Sequence, residues 1–182
     1  EAPPATHPAY LQVNQAVQKI FAPRALFQAA MSGDVEEVHG LLQSGLVDPN
    51  WQNARGSSSL LAACFRGHAE VVDVLLAAGA KNSLADTEVV GVTSKTPAHV
   101  AAQHEHAEVL QKLLDAEVDP NERDTSGSTL LMSAARSCSL ESVKLLLSRQ
   151  ADVNAISDEG KSALDIARVA SSSDSAKSKH VL

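Results

Sequence analysis

Thr96-Pro97-Ala98-His99-Val100-Ala101-Ala102 is the stretch that decides how this chain folds. Pro97 suits the first turn of a helix, where no amide hydrogen bond is lost, and the alanines after it allow close helix packing. Working outward, the same register returns at Ser58-Ser59-Leu60-Leu61-Ala62-Ala63, at Thr129-Leu130-Leu131-Met132-Ser133-Ala134 and at Ser162-Ala163-Leu164-Asp165-Ile166-Ala167. The anchors Ser58, Thr96, Thr129 and Ser162 lie 38, 33 and 33 residues apart. Gly67-His68-Ala69-Glu70-Val71 recurs as Glu105-His106-Ala107-Glu108-Val109. Leucine pairs follow at 41–42, 75–76, 113–114 and 145–146, each closed by a short turn such as Val47-Asp48-Pro49-Asn50. A fixed period near 33 marks stacked supersecondary units.

Composition agrees with a helical stack. The chain has 182 residues, 44% of them apolar and only 3% aromatic, so its core is Leu, Val and Ala, which pack helices closely. The net charge is −7, without a run of Lys or Arg, which disfavours wholesale binding to nucleic acid or anionic membrane. Two cysteines, Cys64 and Cys138, are too few for a disulfide framework or a zinc site. No apolar run reaches the length of a membrane span, and no secretory leader is read at Glu1. The expected compartment is intracellular, cytoplasmic or nuclear, without membrane insertion.

These residues resemble the ankyrin repeat, whose pattern is T-P-L-H-x-A. The resemblance covers about residues 23–170. It implies an all-α ankyrin-repeat solenoid of stacked helix-turn-helix units with β-hairpin-like finger loops. About five units are expected, near 23–52, 53–86, 87–123, 124–156 and 157–182, with truncation expected in the last. Ahead of them, 1–8 reads as a disordered lead and 9–21 as a capping helix. Ser171-Ser172-Ser173-Asp174-Ser175 is expected to interrupt the fifth unit before a last helix running to Leu182. Gly45 and Gly79 suit left-handed helix ends. In the family the Thr and His of the motif tie neighbouring turns. Here only Thr96 and His99 keep both, with Leu61, Met132 and Asp165 in the other histidine positions. Five extra residues separate Ser58 from Thr96 and fall in a long finger containing Val89, Val90 and Val92.

Catalytic and metal motifs yield to the repeat. Gly160-Lys161-Ser162 resembles a phosphate loop but lacks the first glycine and the preceding strand, and it aligns with Gly56-Ser57-Ser58. His68-Ala69-Glu70 and His106-Ala107-Glu108 match H-x-E without a P-C-x-x-C partner. Neither an enzyme nor a cofactor nor a metal is expected. Cys64 stands for a core alanine and reads as a buried thiol; Cys138 stands at a turn glycine and is expected to be more exposed.

The resemblance implies recognition on the concave side, by the fingers and the inner face of the first helices. Carried onto this chain, the inner positions include Phe65, Arg66, Gln103, His104, Arg136 and Ser137. The fingers contribute Trp51, Arg55, Lys95 and Arg123, with Val89 and Val90 in the long one. Acids gather on the second helices, so an acidic chain is expected to carry a basic groove with one aromatic anchor. The expected partner is another protein, engaged through an extended peptide or an acidic or phosphorylated segment, by a monomeric adaptor or scaffold. A recruiting or regulatory arm of a larger protein and a structural spacer are the alternatives. Asn154 resembles an asparagine hydroxylation site of the family, and Ser171 an acid-directed kinase site.

Overall fold

A computed structural model describes residues 8–83 and 95–178, with side chains described for 19–83 and 95–171. Val89 and Val90 lie outside the described residues, as do the first seven residues and the last four. The helices are α1 (Pro8–Ser32), α2 (Val35–Gln43), α3 (Ser59–Arg66), α4 (Ala69–Ala77), α5 (Pro97–Gln103), α6 (Ala107–Asp115), α7 (Leu130–Arg136), α8 (Leu140–Ser148) and α9 (Ala163–Ser178). First helices stack in the order α1, α3, α5, α7, α9, and second helices in the order α2, α4, α6, α8. Among the described residues the fingers carry only isolated antiparallel bridges, Gln52 with Ser58, Arg123 with Thr129 and Ile156 with Ser162.

The sequence explains each helix start. Ser58, Thr96 and Thr129 sit in extended backbone, and each side-chain oxygen accepts the amide three residues on. That satisfies one of the free amides of the first turn. Behind the caps, Leu60, Ala63, Ala98, Ala101, Ala102, Leu130 and Ala134 are fully buried, joined by Val71, Val72, Leu75, Leu110 and Leu113 from the second helices. The core is the aliphatic one that the low aromatic content requires.

His99 is fully buried and fastens the third unit to the fourth. Its Nε2 donates to the Ser128 carbonyl at 2.9 Å, and its Nδ1 lies 2.8 Å from the Thr96 hydroxyl. Glu122 closes this cluster, taking bonds from Thr96 and from the Asn82 amide at 2.8 Å. Where Met132 replaces the histidine, its Sδ accepts the Thr129 amide at 3.4 Å and stays within its own turn. Asp165 likewise turns back, onto the Ser162 amide at 3.0 Å.

A second tie lies between helix ends. The position before each second helix is Asp34, His68, His106 or Ser139. Asp34 and Ser139 cap their own helices, whereas His68 and His106 make no cap bond. Their Nε2 atoms instead donate across the stack, to the Met31 and Phe65 carbonyls, each at 3.2 Å. Each ring lies over a glycine of the preceding unit. A Cβ on Gly33 would come within 2.7 Å of the His68 ring, and one on Gly67 within 2.6 Å of the His106 ring. Both glycines also have positive φ, of 80° and 78°. Glu105 and Cys138 occupy the same turn with φ of 63° and 55°, because the short Ser139 follows Glu105 one unit on, and α9 runs straight past the corresponding point after Cys138.

Two expectations about the ends are corrected. The helix expected over 9–21 does not stop before the first unit. It continues through Pro23 as the 25-residue α1. Pro23 removes one helical bond, but Ala22, Leu26, Ala29 and Ala30 keep a buried face continuous across it. The serine run does not interrupt the last unit either, since α9 passes through 171–175 as helix. The Ser171 hydroxyl bonds back to the Arg168 carbonyl at 3.0 Å within that helix.

Candidate partner-binding face

Stacking brings the C-terminal ends of α3, α5 and α7 side by side, with the fingers above them. Phe65 on α3 stays 44% exposed. The His104 ring after α5 meets it edge-on, with centroids 4.6 Å apart, and the Arg66 guanidinium lies 5.7 Å from its centroid. An aromatic face framed by an arginine and an imidazole is a common anchor at protein interfaces. Burial, helped by His106 and Lys95, holds the His104 ring below the ordinary histidine pKa.

Beside this cluster opens a groove of about 660 Å³, lined by Lys95 and Gln103 of the third unit, Ser133 and Arg136 of α7, and Ile166 and Val169 of α9, with finger residues at its rim. Lys95 donates to the Gln103 side chain. Burial and then the neighbouring Arg136 lower its pKa, against the pull of Asp124. Asp124 is itself buried, which would raise its pKa, but the hydroxyl and amide of Ser126 and the amide of Ser128 hold it below the usual range. At the rim Lys161 pairs with Glu159 at 2.7 Å.

Not every residue expected to face a partner is available. Arg123 donates to the Gly127 carbonyl at 3.0 Å and the Ile156 carbonyl at 2.8 Å, so it joins two fingers. The Ser137 hydroxyl reaches the Ala102 carbonyl of the preceding unit at 3.2 Å. Trp51 is half-buried, and Arg55 is exposed on its own finger. Asn154 is exposed, whereas Asn50 and Asn121 hold the next finger, at the Lys81 amide (2.8 Å) and the Asp152 amide (2.7 Å). Ser171 is exposed on helix α9. The acids expected on the second helices are exposed there, and two of them bind the next unit: Asp73 to Lys112 and Asp115 to Arg149, each at 2.6 Å.

Ser133, Ile166 and Val169 were not among the expected site residues. Val169 aligns with Phe65 and Arg136, so the same register points to it, seven residues after Ser162. Cys64 is buried, which pushes its thiol far above the ordinary range, and Cys138 is exposed. Among the described residues no group of three His, Cys, Asp or Glu side chains is arranged to hold a metal. None of the described helices is long and apolar enough to cross a membrane.

The family model for ankyrin repeats in three copies matches residues 26–124 and 98–178. The chain belongs to the ankyrin-repeat family. Ankyrin repeats are generally protein–protein interaction modules, so a protein partner is the coarse reading of this chain. Ankyrin repeat and KH domain-containing protein mask-1 of Caenorhabditis elegans is 36% identical over 137 residues, 72% of this chain. Ankyrin repeat domain-containing protein 40 of Mus musculus is 36% identical over 86 residues, 47% of this chain, and the Homo sapiens protein of that name matches equally. The matched stretch is only 5% of the first relative and 22% of the others.

Proposed function

We propose that this ankyrin array is a non-catalytic interaction module that takes an extended segment of another protein across units two to four. The observation that carries the reading is Phe65, an exposed aromatic ring set between Arg66 and His104 beside the cationic groove of Lys95 and Arg136. A large, partly exposed aromatic has to be held on this face against its own hydrophobicity, and covering it by a partner returns that free energy. The scaffold is rigid before binding, so little order has to be created on its side. Acids on the outer helices and cations on this face favour an acidic segment. The chain acts as a monomer inside the cell in this reading.

The test is paired affinity capture with the native chain and with Phe65→Ala combined with Arg66→Glu. Circular dichroism verifies equal folding. Proteins kept only by the native chain support the reading; equal capture by both refutes it. A second reading, a recruiting arm of a longer protein, is favoured by the small share of each relative that the match occupies. Fusing the array to a reporter enzyme and asking whether it alone brings that enzyme to the captured partner tests it.

A further inference from the structure

We propose that the groove between Lys95, α7 and α9 is a subsite for one phosphorylated serine or threonine side chain with an apolar neighbour. This rests on the concave-face reading and gives its C-terminal half a ligand chemistry.

Four observations converge. The first is size. About 660 Å³ is in the range of small-molecule sites and takes a phosphorylated side chain together with one leucine-sized group. The second is charge. Among the described residues Arg136 makes no hydrogen bond or ion pair, although its charge reaches Glu159, and the Lys95 ammonium donates to the neutral Gln103 side chain. Burial first, and then the nearby Arg136, disfavour the Lys95 ammonium form, and Asp124, turned into its own finger, pulls the other way. An anion seated between the two cations relieves that repulsion. The third is Ser133. It lines the groove, and its hydroxyl adds a neutral donor to the two cations. The fourth is the opposite wall, where Ile166 and Val169 of α9 give apolar surface.

The donors choose the anion. An ammonium before α5 with a hydroxyl and a guanidinium fork on α7 match the several terminal oxygens of a phosphomonoester, which carries a charge of about −1.5 to −2 at neutral pH. A carboxylate has one charge and two oxygens and leaves part of this set unused. Glu159 at the rim, even paired with Lys161, repels a second anionic group, which limits the site to one phosphate and disfavours a polyanion.

The probe is N-acetyl-phosphoseryl-leucine amide, titrated into isotope-labelled full chain and followed by NMR, beside its seryl and glutamyl forms and inorganic phosphate. The expected result is saturable shifts at the Arg136 side chain, the Ser133 amide and the Ile166 and Val169 methyls. The glutamyl form should bind at least tenfold more weakly and the seryl form not at all. Arg136→Gln should weaken the phosphoseryl probe about tenfold, and Val169→Ala should weaken the dipeptide without changing the response to inorganic phosphate. Equal binding of the glutamyl and phosphoseryl forms, shifts that stay linear with concentration, or affinity that survives Arg136→Gln would overturn the subsite. Inorganic phosphate binding as tightly as the dipeptide would overturn its apolar half. Phe65 lies outside this groove, so the two readings fail separately. A chain that saturates with the probe but loses no partner on Phe65→Ala refutes the concave-face reading alone, and the reverse pair of results refutes the subsite alone.

Discussion

The third unit and the last unit use the same positions and are held in different ways. In the third, Ala98 is fully buried and His99 reaches forward to the Ser128 carbonyl of the next unit. In the last, Leu164 stands at the Ala98 position and is 60% exposed, and Asp165 bonds back to Ser162. The residues of the motif therefore carry no fixed stability. Each contributes what its successor in the stack lets it bury or bond, as expected of a nearest-neighbour solenoid.

The sharpest way to break this comparison is one leucine substituted at two equivalent places. Leu60 is fully buried between units and Leu164 is not. Leu60→Ala should cost about 3 kcal/mol, transfer plus cavity, whereas Leu164→Ala should cost less than about 0.5 kcal/mol. Urea unfolding of both variants decides it. Similar losses would mean that the open end is covered by something else in solution.

The glycine turns give the next largest effect. Gly67→Ala meets both a positive φ and the His106 ring, and it should cost about 2–3 kcal/mol. His106→Ser, copying the Ser139 found opposite Glu105, should recover about 1 kcal/mol of that in a double-mutant cycle. Glu105→Gly should run the other way and stabilise the chain by about 0.5 kcal/mol by releasing a left-handed non-glycine residue. A zero coupling between Gly67 and His106 would remove the steric account of why two of these turns keep glycine.

Acid separates the same two regions. Asp124 and Asp165 both titrate below the usual carboxylate range, and the first is buried in a finger between units while the second is exposed. A folded pKa below the unfolded value of about 3.9 means that the contribution is complete above that pH and is lost as pH falls through the folded value. Amide exchange at Ser126 and Ser128 should rise on that descent, and Asp124→Asn should make it insensitive to pH. At Asp165 only the start of α9 should loosen. Uniform loss across the array at one pH would contradict separate, local contributions.

Much of this was legible beforehand, for physical reasons. The period, the caps and the aliphatic faces are local patterns, and together with the family resemblance they anticipate a pair of helices in each middle unit. The ends were misread because helix continuation through Pro23 and Ser171 depends on what the next stretch can bury, which no local signal states. The face itself was legible as a register: Phe65, Gln103 and Arg136 are equivalent positions. Which of its members are free was not. Arg123 and Ser137 look like partner contacts in the sequence, yet they serve carbonyls of neighbouring units, and such backbone acceptors have no signature in residue type. Ser133 reads as a core position of the motif, and Val169 is an apolar residue with no charge to mark it as a contact.

The smallest effect concerns the outer ion pairs, where the comparison is sharpened rather than broken. Asp115 and Arg149 join α6 to α8 at 2.6 Å, but the Asp115 side chain is 55% exposed and the Arg149 side chain 32%. Water and salt screen such a pair, and ordering two long side chains opposes it. Arg149→Ala should therefore cost no more than about 0.5 kcal/mol at low salt, and the loss should vanish near 1 M salt. Stacking of the second helices would then rest on Val109, Leu110, Leu113 and Leu146, which are buried, and not on the charges that decorate it. A larger loss that survives salt would give the outer surface a share in holding the units together, and the contrast between a well-tied middle and a loosely held end would have to include it.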